Sequence, residues 1–202
     1  MPLIYHHIDS RIQVAVWQTD EQERFFSDAL KAADVPALIG RAVKHPEKRK
    51  QWLASRHLLE MLFPGAVQYY RGRKPYLLGG PFISLSHSEN LVGVMLSRSP
   101  AGLDVQFPDE KLRRIAAKFT DTEEPERIGR GDEILSLTVV WAVKEAVFKT
   151  YGTLLPFRDI QISGFNAETG CCRAEVFREG RHHTHSITVT ECAGAVVAFL
   201  TE

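Results

Sequence analysis

Taken by the spacing of its apolar positions, the chain reads as alternating strands and striped helices. Residues 12–17 (IQVAVW) alternate as a half-buried strand does, and residues 3–17 together read as opening strands. An acidic helix start at Asp20 leads into Phe25, Phe26, Ala29 and Leu30, spaced as one apolar stripe. A Pro-interrupted segment over 34–40 separates it from a basic helix that follows Pro46 and closes at Pro64-Gly65. Trp52, Leu59, Leu62 and Phe63 form the predicted core face of that helix. Residues 68–77 are a Gly/Pro turn, 81–88 (PFISLSHS) a strand, and 91–96 its return across Glu89-Asn90. Residues 97–101 read as a linker, and 102–106 (GLDVQ) open a second half. There the pattern predicts a helix over 111–119 with Leu112, Ile115, Ala116 and Phe119 inward. A charged connection follows over 120–132, and a loop is expected over 153–157. Strands at 160–165, 171–177, 185–190 and 195–200 complete an antiparallel sheet.

The helix over residues 139–152 (VVWAVKEAVFKTYG) organises the second half. At about 100° per residue, Val139, Val140, Val143, Ala146, Val147 and Tyr151 fall on one broad apolar face. Glu145 points away from that face, with Trp141, Phe148 and Lys149 flanking it. An i,i+4 Glu–Lys pair is also what an ordinary surface helix carries, worth about 0.2–0.5 kcal/mol. Two large aromatics on the same outward side mean that something covers it.

Two halves of this kind predict an α+β chain of two similar lobes, 1–100 and 101–202, each an antiparallel sheet packed with helices. Composition narrows the class. The 25 basic residues are balanced by 25 acidic ones, which argues against a dedicated nucleic-acid binder despite the basic stretches 44–56 and 71–74. No apolar run approaches a membrane span, and the first ten residues lack a signal pattern, so a soluble, cytoplasmic protein is expected; a monomer is expected as a separate matter. Cys171, Cys172 and Cys192 form neither a disulfide framework nor a CxxC pattern. The run His182-His183-Thr184-His185 invites a zinc reading, but without a Cys or acid at ligand spacing a hairpin turn is preferred.

Several side chains carry candidate chemistry. Arg49 and Arg56 are seven apart and share nearly one helical heading, with Lys48 at the helix start. The ordinary reading of each is a solvated basic face, and two arginines on one heading beside a basic helix start also suit a phosphate. Asp104 and Gln106, two apart, share a sheet face. His87 amid serines has no GxSxG elbow to serve.

Taken together these blocks resemble the 4'-phosphopantetheinyl transferase superfamily, in its two-lobed surfactin-synthetase-type branch. Gly72-Arg73-Lys74-Pro75 leading to Ser84-Leu85-Ser86-His87-Ser88 is similar to its first block, and Gly102-Leu103-Asp104 to its (V/I/A)-G-x-D strand. Trp141-Ala142-Val143-Lys144-Glu145-Ala146-Val147-Phe148-Lys149 is similar to its W-x-x-K-E-A-x-x-K helix. The resemblance implies a magnesium-dependent holo-[acyl-carrier-protein] synthase. Such an enzyme moves 4'-phosphopantetheine from coenzyme A to a serine of an acyl or peptidyl carrier protein and releases 3',5'-ADP, with the active cleft between pseudo-symmetric lobes. It implies Asp104 and Glu145 as Mg²⁺ ligands, Glu145 as the base for the serine hydroxyl, and Lys149 on a pyrophosphate oxygen. Lys48, Arg49, Arg56, Lys74, Ser86 and His87 would surround the 3'-phosphoribose. Many members carry an acid where this chain has Gln106, so a weaker metal site is expected if Gln106 joins it. The alternative is a protein of the same fold that binds coenzyme A without transferring anything. Carriers present an acidic helix around their serine, and a docking strip is expected near 111–130.

Overall fold

A computed structural model describes residues 2–32, 45–100, 102–121, 123–151, 155–178 and 180–201. The segment over 34–40, Lys44 and the first two residues of the expected loop over 153–157 lie outside them. The chain forms two compact units, Met1–Ser99 and Pro100–Glu202.

In the first unit, strands β1 (Leu3–Ile8), β2 (Ile12–Gln18), β5 (Phe82–Ser88) and β6 (Leu91–Ser97) make an antiparallel sheet in the order β1-β2-β6-β5. The β5–β6 turn places Glu89 at φ 47°, a left-handed conformation at the tip of a two-residue hairpin. Helices α1 (Glu23–Ala32) and α2 (Pro46–Leu62) cover one face of the sheet. Phe26 and Leu30 of α1 and Leu53, Ala54, Leu58 and Leu59 of α2 pack with Ala15, Trp17, Ile83, Val92 and Val94. Strands β3 (Gln68–Arg71) and β4 (Lys74–Leu77) form a separate hairpin where the sequence suggested only a turn.

Two expectations for these helices need correcting. The core face of α2 is centred on Leu53, Ala54, Leu58 and Leu59, whereas Trp52 and Leu62 are half-buried and Phe63 is exposed. Trp52 looked like core because it is large and apolar, but its ring lies 3.5 Å from the Arg56 guanidinium, which it covers. Phe25 is likewise exposed, although it stacks edge-on against Phe26 and His57.

In the second unit, β7 (Leu103–Gln106), β8 (Ile160–Phe165), β9 (Cys171–Arg178), β10 (Arg181–Cys192) and β11 (Ala195–Leu200) form one antiparallel sheet, ordered β7-β11-β10-β9-β8. His182–His185 belongs to β10 rather than to a turn, because the β9–β10 ladder begins at Arg178 and Arg181. His182 pairs with Glu175 at 3.0 Å, and His185 accepts or donates to the Tyr151 hydroxyl at 2.7 Å. Helix α3 (Lys111–Phe119) has its expected bounds, and α5 runs over Glu133–Tyr151. The Asp132 carboxylate caps α5, accepting from the backbone N–H groups of Ile134 (2.7 Å) and Leu135 (3.2 Å).

Residues 120–132, expected as a charged connection, instead hold helix α4 (Glu123–Ile128), capped by Asp121. The sequence hides α4 because six residues are too few to show a helical period. The aromatics on the outward side of α5 are covered from within the unit. Trp141 packs on Phe119 and Phe157 at 5.1 and 5.2 Å between ring centroids, and Phe148 on Phe157 at 5.5 Å.

Gly102 sets how closely β7 passes α5. A Cβ there would overlap the Ala146 carbonyl and stand 2.8 Å from Thr150 Oγ1. Gly102→Ala is therefore expected to destabilise the second unit by about 2–3 kcal/mol, since helix backbone cannot give way. Denaturant unfolding measures this; an unchanged midpoint would contradict the close approach.

Candidate active site

Helix α5 and strand β7 meet at one polar point. Lys149 donates through Nζ to Asp104 Oδ1 at 2.7 Å and to the Leu103 carbonyl at 2.8 Å. The Asp104 side chain is buried and that of Lys149 about one quarter exposed, so the pair opens toward solvent on the lysine side. One turn earlier on α5 stands Glu145, half-buried. Burial raises its carboxyl above the usual carboxylate range, the Asp104 charge raises it further, and Lys149 opposes both. Two carboxylates thus sit close enough to repel each other, with an ammonium beside them.

That donor set fits a hard divalent cation. Two acid oxygens from separate elements, one resisting ionisation through burial and then through the other's charge, would be relieved by an ion such as magnesium, which keeps most of its waters. Gln106 follows on the face of Asp104, but its amide nitrogen donates to the Phe107 carbonyl at 2.8 Å. Only its carbonyl oxygen remains to meet a metal or its water.

Residues 100–199, the span that includes Gly102, Asp104, Glu145 and Lys149, match the family model of the 4'-phosphopantetheinyl transferase superfamily. The second unit thus carries a domain of that superfamily. No curated protein matches the chain. The superfamily domain supports transfer of a phosphopantetheinyl group in general terms, and the site just described lies wholly within it. No helix among the described residues is long and apolar enough to cross a membrane.

Within this superfamily domain, Lys144 is engaged by partners other than Asp104 and Lys149. It is fully buried and turned away from Glu145, donating to Glu124 at 2.6 Å and to the Phe119 carbonyl at 2.8 Å. Burial lowers its pKa, and the Glu124 partner counters that shift. Glu124 also accepts from Thr120 Oγ1 at 2.7 Å and from the Ile162 backbone N–H at 2.9 Å. This network ties α4 and β8 to α5. Sequence reasoning missed it, since Glu124 reads as one more surface acid in a charged run.

The basic residues expected around a nucleotide lie in the first unit. Arg56 is the most informative. Its side chain is buried, stacked on Trp52, and donates to Tyr70 Oη at 3.1 Å and Ser55 Oγ at 3.0 Å. Its described hydrogen-bond partners are all neutral, and burial lowers its pKa. A buried guanidinium held by neutral groups is able to take an anion as a further partner. Arg49, by contrast, pairs with Glu23 at 2.8 Å, and Lys48 donates to Gln51 at 3.1 Å. Arg49 and Arg56 therefore share a heading on α2 but engage different partners, one on α1 and one on β3. Lys74 is half-buried, which lowers its pKa. Ser86 and His87 do not act as a pair. Adjacent on β5, they point to opposite faces, Ser86 buried and His87 exposed.

Proposed function

We propose that the protein transfers 4'-phosphopantetheine from coenzyme A to a carrier-protein serine, as a member of the two-lobed surfactin-synthetase-type branch. The observation that carries this reading is the Lys149–Asp104 contact beside the raised Glu145 carboxyl, inside a phosphopantetheinyl transferase superfamily domain.

Asp104 and Glu145, with Gln106 through its carbonyl oxygen, are the residues that would hold Mg²⁺. The bound ion would neutralise charge on the pyrophosphate of coenzyme A. Glu145 takes the proton of the carrier serine hydroxyl, directly or through a water. The serine oxygen then forms a bond to the β-phosphorus as that phosphorus parts from the oxygen bridging it to the α-phosphate, so that 3',5'-ADP departs. The Lys149 ammonium holds a pyrophosphate oxygen, and its existing bonds to Asp104 and Leu103 fix where its charge stands. On the first unit, Arg56 and Lys74 supply charge for the 3'-phosphate. Lys48, Arg49, Ser86 and His87 are secondary candidates, Arg49 only after leaving Glu23.

Arg56→Met keeps the packing on Trp52 and removes the cation. It should weaken binding of 3',5'-ADP by about 1.5–3 kcal/mol, roughly ten- to hundredfold, in calorimetric titration. Unchanged affinity would remove Arg56 from the site. The reading as a whole is tested by incubating the protein with coenzyme A, Mg²⁺ and apo carriers and following 3',5'-ADP release by chromatography. Tight coenzyme A binding without release would mark a non-transferring binder instead.

A further inference from the structure

Between Glu60 and Glu89 the chain carries no acidic residue, although acids and bases balance over the whole sequence. The same stretch holds eight of the eleven exposed large apolar side chains among the described residues. Met61 and Phe63 leave the end of α2, Tyr69 and Tyr76 lie on the β3–β4 hairpin, and Leu78 and Phe82 follow it. The segment folds back on itself, since the Phe63 ring stands 3.4 Å from where a Cβ of Gly80 would be. Tyr69 and Tyr76 are a cross-strand pair stacked at 5.6 Å, and the Arg71 guanidinium lies over Tyr76 at 5.8 Å. Leu78 is 77% exposed, far beyond what a lone surface leucine in a turn requires.

Aromatic residues, Met and Arg without acids are the composition of a protein-docking surface rather than of ordinary solvated surface. The charge pattern selects the partner. Exposed Arg71 and Arg73, with no carboxylate near them in sequence, attract acidic surfaces and repel basic ones. Two exposed cations are few for holding a lipid surface, and the tyrosine faces are already stacked on each other, which leaves little for a nucleobase.

We propose that the surface from the last turn of α2 through the β3–β4 hairpin to the start of β5 docks an acidic protein face with apolar side chains among its carboxylates. On the transfer reading above, on which this identification of the occupant rests, that face belongs to the carrier protein. It places carrier docking outside the strip over 111–130 that the sequence suggested.

The test uses the full chain, its Leu78→Asp and Arg71→Glu variants, and Phe177→Asp as a control at an exposed apolar site on the second unit. The probe is a panel of acidic apo carriers whose acceptor serine is replaced by alanine, with binding read by interferometry. Leu78→Asp and Arg71→Glu should each weaken carrier binding at least about tenfold, or about 1.4 kcal/mol, while carrier binding by Phe177→Asp and the coenzyme A affinity of Leu78→Asp stay within about twofold. Equal binding by all variants, equal loss in the Phe177 control, or no binding of any carrier by the parent overturns the proposal. So does binding of anionic vesicles or oligothymidylate, and not of carriers, through these residues. Transfer to serine-bearing carriers is read separately by intact mass. A parent that transfers while its variants bind normally sinks the docking surface alone. A parent that binds carriers here without modifying them sinks the transfer reading alone.

Discussion

Glu145→Gln lowers phosphopantetheine transfer by about 10²–10⁴-fold, the range expected when a positioned general base is removed. The same change should raise the melting temperature of metal-free protein near neutral pH. Folding raises the Glu145 pKa, first through burial and then through the Asp104 charge. A carboxyl whose folded pKa exceeds its unfolded value contributes its full stability at pH below the unfolded pKa. That contribution is lost as pH rises through the folded pKa, so at neutral pH the ionised side chain is a burden. A neutral amide of the same shape removes it, with about 2–4 °C gained for each kcal/mol relieved. Calorimetric melts in chelator, run beside the transfer assay, check both halves. A Glu145→Gln protein that is inactive and less stable would mean that Glu145 supports the fold and that its loss of activity is indirect.

Lys144→Met destabilises the second unit by about 3–5 kcal/mol, the usual result of taking one partner from a fully buried ion pair. Both side chains are 2% exposed and 2.6 Å apart. After the change, the Glu124 carboxylate keeps Thr120 and the Ile162 N–H but loses its cation. Adding Glu124→Gln keeps an acceptor for Ile162 and removes the stranded charge, so the double variant should recover at least about 1 kcal/mol over the single one. Urea unfolding measures the cycle. Equal stability of Lys144→Met and parent would show that the pair contributes nothing.

The parts of the site built from regular periods were legible in the sequence. The apolar stripe of Val139, Val143 and Val147 announces α5, and the alternation around Asp104 announces β7. The resemblance then named which of their polar residues to bring together. The ion contact between Lys149 and Asp104 was beyond spacing arguments, because 45 positions separate them and only the close passage at Gly102 joins the elements. Lys144 shows the opposite limit. One position from Glu145, it carries the same kind of charge as Lys149, yet it is committed to a buried partner on a helix too short to be seen. The α2 face was misread for a related reason. Size and apolarity suggested Trp52 as core, while a buried arginine claimed its ring. Sequence pattern finds which faces are apolar; it does not find which polar groups have been paid for by burial elsewhere.

The most direct measurement is the intact mass of an apo carrier after incubation with coenzyme A, Mg²⁺ and this protein, with the Glu145→Gln variant in parallel. The account predicts a gain of one phosphopantetheine on the carrier with the parent and none with the variant. A folded parent that leaves every carrier at its starting mass, or a variant that modifies carriers as fast as the parent, would contradict it.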